Sequence, residues 1–278
     1  MAAVGPGTQI GGYRVEAQVG EGGMGEVFRA VRVADGEIVA LKAMKSKFSA
    51  DSDYARRFLR EARAAGEIEH EHLVGVLDFG EHEGRSFLVM RYLPGPTVEG
   101  RIREQGPLSI EATARMVGEV GGALDALHQH GLVHRDVKAS NIIYDASGAA
   151  ALADFGLAKG TGYSLLTRPG QVMGTLDYLA PELIRGEDAT PASDIYALGC
   201  VAYECLSGQP PFGRRGMFQV GMGHLEETPA NPCAGRTDIP QEYGSFVCLA
   251  LAKDPAGRPS TATTYAQTLI RAAHAAGH

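Results

Sequence analysis

Between Val133 and Gly156 the chain carries polar residues of the types and at the spacings that phosphoryl transfer needs. His134-Arg135-Asp136 runs on through Lys138 to Asn141, and Asp154-Phe155-Gly156 follows. Asp136 can accept a hydroxyl proton, Asn141 and Asp154 can offer oxygen to divalent metal, and Lys138 can neutralise phosphate charge. Upstream, Gly20-Glu21-Gly22-Gly23-Met24-Gly25-Glu26-Val27 fits G-x-G-x-x-G-x-V. Glycine suits it because only a bare backbone can close down on a triphosphate. Alone, the motif fits an ordinary glycine turn equally well. A dinucleotide-binding fold would open a helix at its last glycine, whereas Val27-Phe28 and Val31 read on as strand. The context therefore favours a flap between two strands over ATP. Val39-Ala40-Leu41-Lys42 puts an amine on the next strand. Glu61 is the carboxylate expected to fix that amine against the α- and β-phosphates, with Glu67 and Glu69 as rivals nearer the end of the same helix.

The elements that must hold these groups fall into two kinds of pattern. Tyr13-Arg14-Val15, Glu26-Val27-Phe28 and Ile38-Val39-Ala40-Leu41 read as an antiparallel meander with a turn at Asp35-Gly36. A helix follows, capped by Asp51 or Ser52, with Phe58, Glu61, Ala62 and Ala65 on one stripe. Leu73 to Phe79 and Phe87 to Tyr92 read as two more strands, and Pro94-Gly95-Pro96 breaks the chain. Beyond it, Ile110, Thr113, Ala114, Val117, Val120, Gly121, Leu124, Leu127 and His128 keep a helical period. Ile195, Leu198, Gly199, Ala202 and Leu206 keep another, ending at Gly208. Shorter helices are expected near 217–224, 242–252 and 261–273, with a frayed end from Arg271 to His278. The predicted class is α+β in two lobes. A tail over 1–12 precedes a small antiparallel-sheet lobe with one main helix over 13–93 and a larger, mostly helical lobe over 94–278.

Bulk properties narrow the function classes. In 278 residues, 44% apolar content reads as globular. A net charge of −7 offers no basic footprint for polynucleotide, so nucleic acid is set aside as a partner. No run approaches the roughly 18 apolar residues of a membrane-spanning helix, and the start lacks the charged and apolar segments of a signal peptide. A cytoplasmic location is therefore expected. Cys200, Cys205, Cys233 and Cys248 form no C-x-x-C pair with matching histidines, so they read as packing residues rather than zinc ligands. His70-Glu71-His72 reads as a solvent-exposed turn.

The catalytic-loop string from His134 to Asn141, the following strand Ile142-Ile143-Tyr144, Asp154-Phe155-Gly156 and Ala180-Pro181-Glu182 together resemble the eukaryotic-like Ser/Thr protein kinases of bacteria. The likeness runs from about Tyr13 to Ala273. It implies ATP as phosphate donor, magnesium or manganese held by Asn141 and Asp154, and protein hydroxyls as acceptors. It also implies that Asp194 braces the catalytic-loop backbone and that Arg258 partners Glu182. Met90 would gate the adenine pocket, with backbone groups of Arg91 to Leu93 bonding the base. Lys138 and Thr175 mark serine/threonine over tyrosine specificity. Arg135, preceding the catalytic Asp, would pair with a phosphorylated loop residue. The expected sites are Thr167, then Ser164, modified by autophosphorylation between self-associating copies, with Thr175 instead beside the substrate hydroxyl. Two other readings compete. A pseudokinase scaffold would usually lack one of Lys42, Asp136 or Asp154, and an antibiotic-type phosphotransferase would lack the Ala-Pro-Glu segment.

Overall fold

Strand alternation builds the first part of the molecule. β1 (Gln9–Ile10), β2 (Tyr13–Glu21), β3 (Gly25–Arg32), β4 (Ile38–Met44), β5 (Val76–His82) and β6 (Arg85–Arg91) form one antiparallel sheet in the order β1-β2-β3-β4-β6-β5. The computed structural model describes residues 4–23, 25–45, 56, 60, 62–64, 66–154 and 176–276. They divide into two units: the residues up to His70 with Val74–Pro94, and Glu71–Leu73 with Gly95 onward.

In the first unit, Tyr13, Val15, Phe28, Ala30, Val39, Leu41, Ala43, Phe87 and Val89 form the core. Directly paired residues share a face of a sheet. The registers Val27↔Lys42↔Leu88 and Arg29↔Ala40↔Met90 therefore gather Val27, Ala40, Lys42 and Met90 on the face opposite that core. Three expectations are corrected here. Gln9–Ile10 is no tail, because it pairs with β2 and buries Ile10 in the core. The strand expected from Leu73 starts at Val76, and Leu73 instead bridges Leu152 in the second unit. β6 ends at Arg91 rather than Tyr92.

The second unit is mainly helical. α1 (Val98–Gln105) was not foreseen, its eight residues being too short and too polar to show a period. α2 (Ile110–Gln129) opens at Ser109, whose side chain accepts from Ala112 N–H at 3.2 Å. It buries Ile110, Ala114, Val117, Val120, Leu124 and Leu127. The hairpin β7 (Ile142–Tyr144) and β8 (Ala150–Leu152) follows the catalytic-loop string. Then come α3 (Pro181–Ile184), α4 (Pro191–Ser207), α5 (Met217–Glu226), α6 (Gln241–Cys248) and α7 (Ala262–Ala276). α4 is buried around its whole circumference from Ser193 to Leu206, as a central helix must be. The expected fraying does not set in at Arg271, because α7 stays helical to Ala276 and buries Ala273. A Cβ on Gly121 would lie 3.1 Å from the Ala262 carbonyl oxygen, so the bare glycine lets the start of α7 close onto α2.

Within the glycine-rich segment, the glycines serve different ends. A Cβ on Gly25 would lie 2.7 Å from the Ala43 carbonyl oxygen, so strand pairing itself demands glycine there. At Gly22 the nearest atom would be 3.8 Å away, and the fold makes no such demand. Gly25→Ala is expected to cost about 1–3 kcal/mol of stability through overpacking, whereas Gly22→Ala should stay within about 0.5 kcal/mol of the parent. Urea unfolding of both variants checks this, and equal losses would refute the distinction.

Candidate active site

The loop ahead of β7 takes its shape from one buried carboxylate. Asp194, in the first turn of α4 and 1% exposed, accepts His134 N–H on Oδ2 at 2.8 Å and Arg135 N–H on Oδ1 at 2.9 Å. Those two bonds hold Arg135 at φ 65°, in the left-handed region that costs a non-glycine residue about 1–3 kcal/mol. Asp154, after β8, lies in the same left-handed region at φ 58°. Among the described non-glycine residues only Glu83 and Arg214 share that conformation, so two of the four sit at the chemistry-bearing positions.

His134 is itself part of the scaffold. Its Nδ1 accepts Asp136 N–H at 3.3 Å and its Nε2 faces the Ala153 carbonyl at 3.2 Å, which fixes the neutral Nε2–H tautomer. Burial drives the ring below the usual imidazole range, outweighing the nearby carboxylates of Asp194, Asp136 and Asp154. The loop then closes on Asp136. Asn141 Nδ2 donates to the Asp136 carbonyl at 2.8 Å and to its Oδ2 at 3.0 Å, and Lys138 Nζ lies 3.1 Å from the same Oδ2. Asn141 is buried in a single 3₁₀ turn, Ala139–Asn141, and its carbonyl accepts Ala153 N–H at 2.8 Å. That bond, with the β7–β8 ladder, seats the residue preceding Asp154 directly against Asn141.

These residues fit a hard cation. Both Asn141 amide hydrogens are committed to Asp136, which leaves Oδ1 as the atom to meet a metal, and Asp154 adds a carboxylate. Among the described residues no cluster of three or more His, Cys, Asp or Glu could cage a metal by itself. Such a pair of oxygens suits magnesium, which keeps waters and phosphate oxygens as its other ligands.

Of the other expected residues, Lys42 and Ala40 share the non-core face of the first unit's sheet with Val27 and Met90. Gly20 pairs with Val27 and Glu21 with Glu26, while Gly22 N–H donates to Gly25 O at 2.8 Å, making a tight turn around Gly23. Arg91 is exposed and Leu93 partly so. Arg91 pairs with Val39 at the end of β6, and its N–H donates to Gly75 O at 3.3 Å. Met24, Glu61, Ser164, Thr167 and Thr175 lie outside the described residues.

Glu182 and Arg258 form a bidentate pair, Oε1 to Nη1 at 2.7 Å and Oε2 to Nη2 at 2.8 Å, and Ser193 Oγ adds a third bond at 2.7 Å. Burial works to raise the Glu182 carboxyl, but Arg258 and Ser193 outweigh it and hold it below the usual range. Arg135, Asp136, Lys138, Tyr178 and Leu179 line one open cleft in this unit.

Sequence reasoning missed Asp125, His128 and His72. His128 Nε2 lies 2.9 Å from Asp194 Oδ2, and Asp125 accepts the N–H groups of Ala262 and Thr263. The acid and the imidazole stand three residues apart on a buried helix, a spacing that could have flagged them. Glu71 and His72 form the expected turn, but His72 is only partly exposed: its Nδ1 meets Ala150 O at 2.9 Å and its carbonyl takes Leu152 N–H.

Comparison with known proteins places this geometry. The family model for the protein kinase domain matches residues 13–270. Serine/threonine-protein kinase PknE of Mycobacterium bovis is 41% identical over 270 residues, which is 97% of this chain and 47% of that protein. Serine/threonine-protein kinase PknA of Mycobacterium tuberculosis is 40% identical over 256 residues, 90% of this chain and 59% of that protein. The chain thus spans about half the length of the curated relatives it matches. The crystal structure of the M. tuberculosis PknI kinase domain superposes with a TM-score of 0.78 at 31% identity, covering 98% of this chain and all of that one. Among the described residues, no helix is long and apolar enough to cross a membrane.

Replacing Arg258 by methionine should cost about 3–5 kcal/mol at neutral pH, because it strands a buried carboxylate. With arginine present, the lowered Glu182 pKa contributes stability above the usual carboxylate range that fades as pH falls through the lowered value. Without it, burial alone raises that pKa, so acidification should narrow the gap between variant and parent. Urea unfolding at pH 7 and pH 5 tests both, and a gap that widens at pH 5 would overturn the assignment.

Proposed function

This chain belongs to the protein kinase family, and from that premise we propose that it transfers the γ-phosphate of ATP to serine and threonine hydroxyls of proteins. The observation that carries the reading is the Asp136 carboxylate. One of its oxygens is pinned by Asn141 and Lys138, and its own backbone N–H is held by His134. A base fixed on three sides reorganises little when it meets a hydroxyl. Asp136 takes the proton as the acceptor oxygen bonds to γ-phosphorus, and the bond to the β-phosphate oxygen breaks, releasing ADP. Lys138 faces the charge on the transferred group, while Asn141 and Asp154 hold magnesium, or manganese in its place. The bound cation supplies charge neutralisation across the phosphates.

In the first unit, Lys42 takes the α- and β-phosphates with Glu61 as its partner, beneath the backbone from Gly20 to Gly25. Val27, Ala40 and Met90 line the adenine site, and the Arg91 carbonyl and Leu93 backbone bond the base. Arg135 receives a phosphorylated Thr167 or Ser164, added by a second copy of the chain, and Thr175 sits beside the acceptor hydroxyl. Glu182, Asp194 and Arg258 are structural. A cytoplasmic location agrees with four free thiols and with ATP as donor.

Incubating the chain with labelled ATP, magnesium and a generic protein acceptor should label serine and threonine, and chelation should abolish the signal. Asp136→Asn should lower turnover by about 10²–10⁴-fold while nucleotide affinity stays near that of the parent. Near-normal turnover in that variant, or label transferred to an aminoglycoside instead of protein, would overturn the proposal. Phosphopeptide mapping of the active chain should find modification at Thr167 or Ser164. An active enzyme unmodified between Thr161 and Thr167 would remove the regulatory part.

A further inference from the structure

We infer that His128 is a positioning residue for phosphoryl transfer: as an imidazolium it fastens Asp194 beneath the catalytic loop and, through Asp125, ties that loop to the first turn of α7. The rate effect rests on the kinase reading of Asp136, whereas the physical coupling does not.

The geometry sets a carboxylate beside each nitrogen of one ring, one at hydrogen-bond distance and the other at ion-pair distance. His128 Nε2 lies 2.9 Å from Asp194 Oδ2 and Nδ1 lies 3.8 Å from Asp125 Oδ1, with the side chain 10% exposed. Two carboxylates this close to one buried ring stabilise its cationic form by charge. Asp125 then accepts Ala262 N–H at 3.0 Å and Thr263 N–H at 2.9 Å, two groups that the first turn of α7 cannot satisfy within the helix. On the other side, Asp194 Oδ2 is shared between His128 and the N–H of His134, and Oδ1 holds Arg135 in its left-handed turn. The chain of contacts therefore runs from α7 through α2 to α4 and the residue before Asp136.

Among the described residues, the groups that act on His128 run through that chain. They are Asp125 on its own helix, Asp194 on α4, the neutral His134 in the loop, and backbone N–H groups on α7 reached through Asp125. Burial opposes the proton on His128, but the bonds to Asp125 and Asp194 outweigh it and push the ring up to about 9 from an ordinary 6.5. Burial likewise opposes charge on Asp125, yet bonds from His128, Thr263 and Ala262 hold it down to about 2. Because the folded value lies above the ordinary one, the contribution is complete below about 6.5 and is lost as pH rises through about 9.

The test combines an NMR titration of the whole chain with kinetics of His128→Gln. The imidazole nitrogens should titrate near pH 9, and the backbone nitrogens of His134 and Arg135 should shift with the same midpoint. His128→Gln should lower kcat by about 10–100-fold, leave the KM for ATP within about twofold, and flatten the alkaline limb of the kcat profile. An imidazole that titrates at or below pH 7, loop signals that ignore it, or an unchanged kcat would each overturn the inference. Should the parent chain transfer no phosphate, the kinase reading fails and the titration alone decides the coupling. Should His128→Gln fail to fold, Asp125→Asn carries the test. It should lower the His128 midpoint and move the signals of Thr263 and Arg135 together, and movement confined to Thr263 would count against the coupling.

Discussion

A carboxylate buried to 1% exposure and bonded to two successive backbone N–H groups is the constraint on which the catalytic loop depends. An unpaired charge in such a place would cost several kcal/mol, so the structure around Asp194 has to supply donors. It draws one from His128 on α2 and two from the loop itself, and that choice makes a structural residue relevant to chemistry. The His134 and Arg135 amides can point at one carboxylate only if Arg135 leaves the usual backbone regions, and its φ of 65° is the result. Once that turn is set, Asp136 follows at the end of a fixed backbone rather than on a free loop.

The frame around this turn is built from different materials. α4 is buried on all sides, so apolar packing holds Asp194 in place from behind. Glu182 and Arg258 join α3 to the loop between α6 and α7 through a buried ion pair, further stitched to the start of α4 by Ser193. Buried pairs of this kind are weak evidence of net stability but strong evidence of fixed geometry, since neither partner can be lost without exposing the other to an apolar interior. The polar residues of the second unit thus position, and the apolar ones stabilise.

Much of this was legible in the sequence, and the failures have physical causes. Strands with strict alternation and the two long periodic helices emerged because their burial patterns are local. Asp136, Lys138, Asn141 and Asp154 stood out because their spacing is local too. Arg258 and Glu182, 76 residues apart, obey no local rule and were reached only through family likeness. Asp125 and His128 were hidden for another reason. His128 fell on the buried stripe of α2 and read as one more packing residue, because its partner Asp194 sits 66 residues downstream on α4 and the partners of Asp125 lie at the start of α7. Gly25 carries a further demand that the sequence did not show. Its glycine was assigned to phosphate approach, yet the Ala43 carbonyl across the strand pair already excludes a side chain. β1 escaped notice because two residues are too few to alternate.

Asn141 shows why the site acts as a unit. Its two amide hydrogens hold Asp136 by backbone and by side chain, and its backbone carbonyl anchors Ala153 beside Asp154. The side-chain oxygen that remains is oriented by those commitments and not by any ligand. One residue therefore fixes Asp136, orients an oxygen suited to a cation and spaces Asp154. Removing it would disturb all three at once, so losses measured at Asn141 and Asp136 cannot add as independent contributions do. The same reasoning covers Lys138, whose ammonium shares Asp136 Oδ2 with Asn141. Electrostatic preorganisation here is a property of the closed set of contacts, and no single side chain in it carries a separable share.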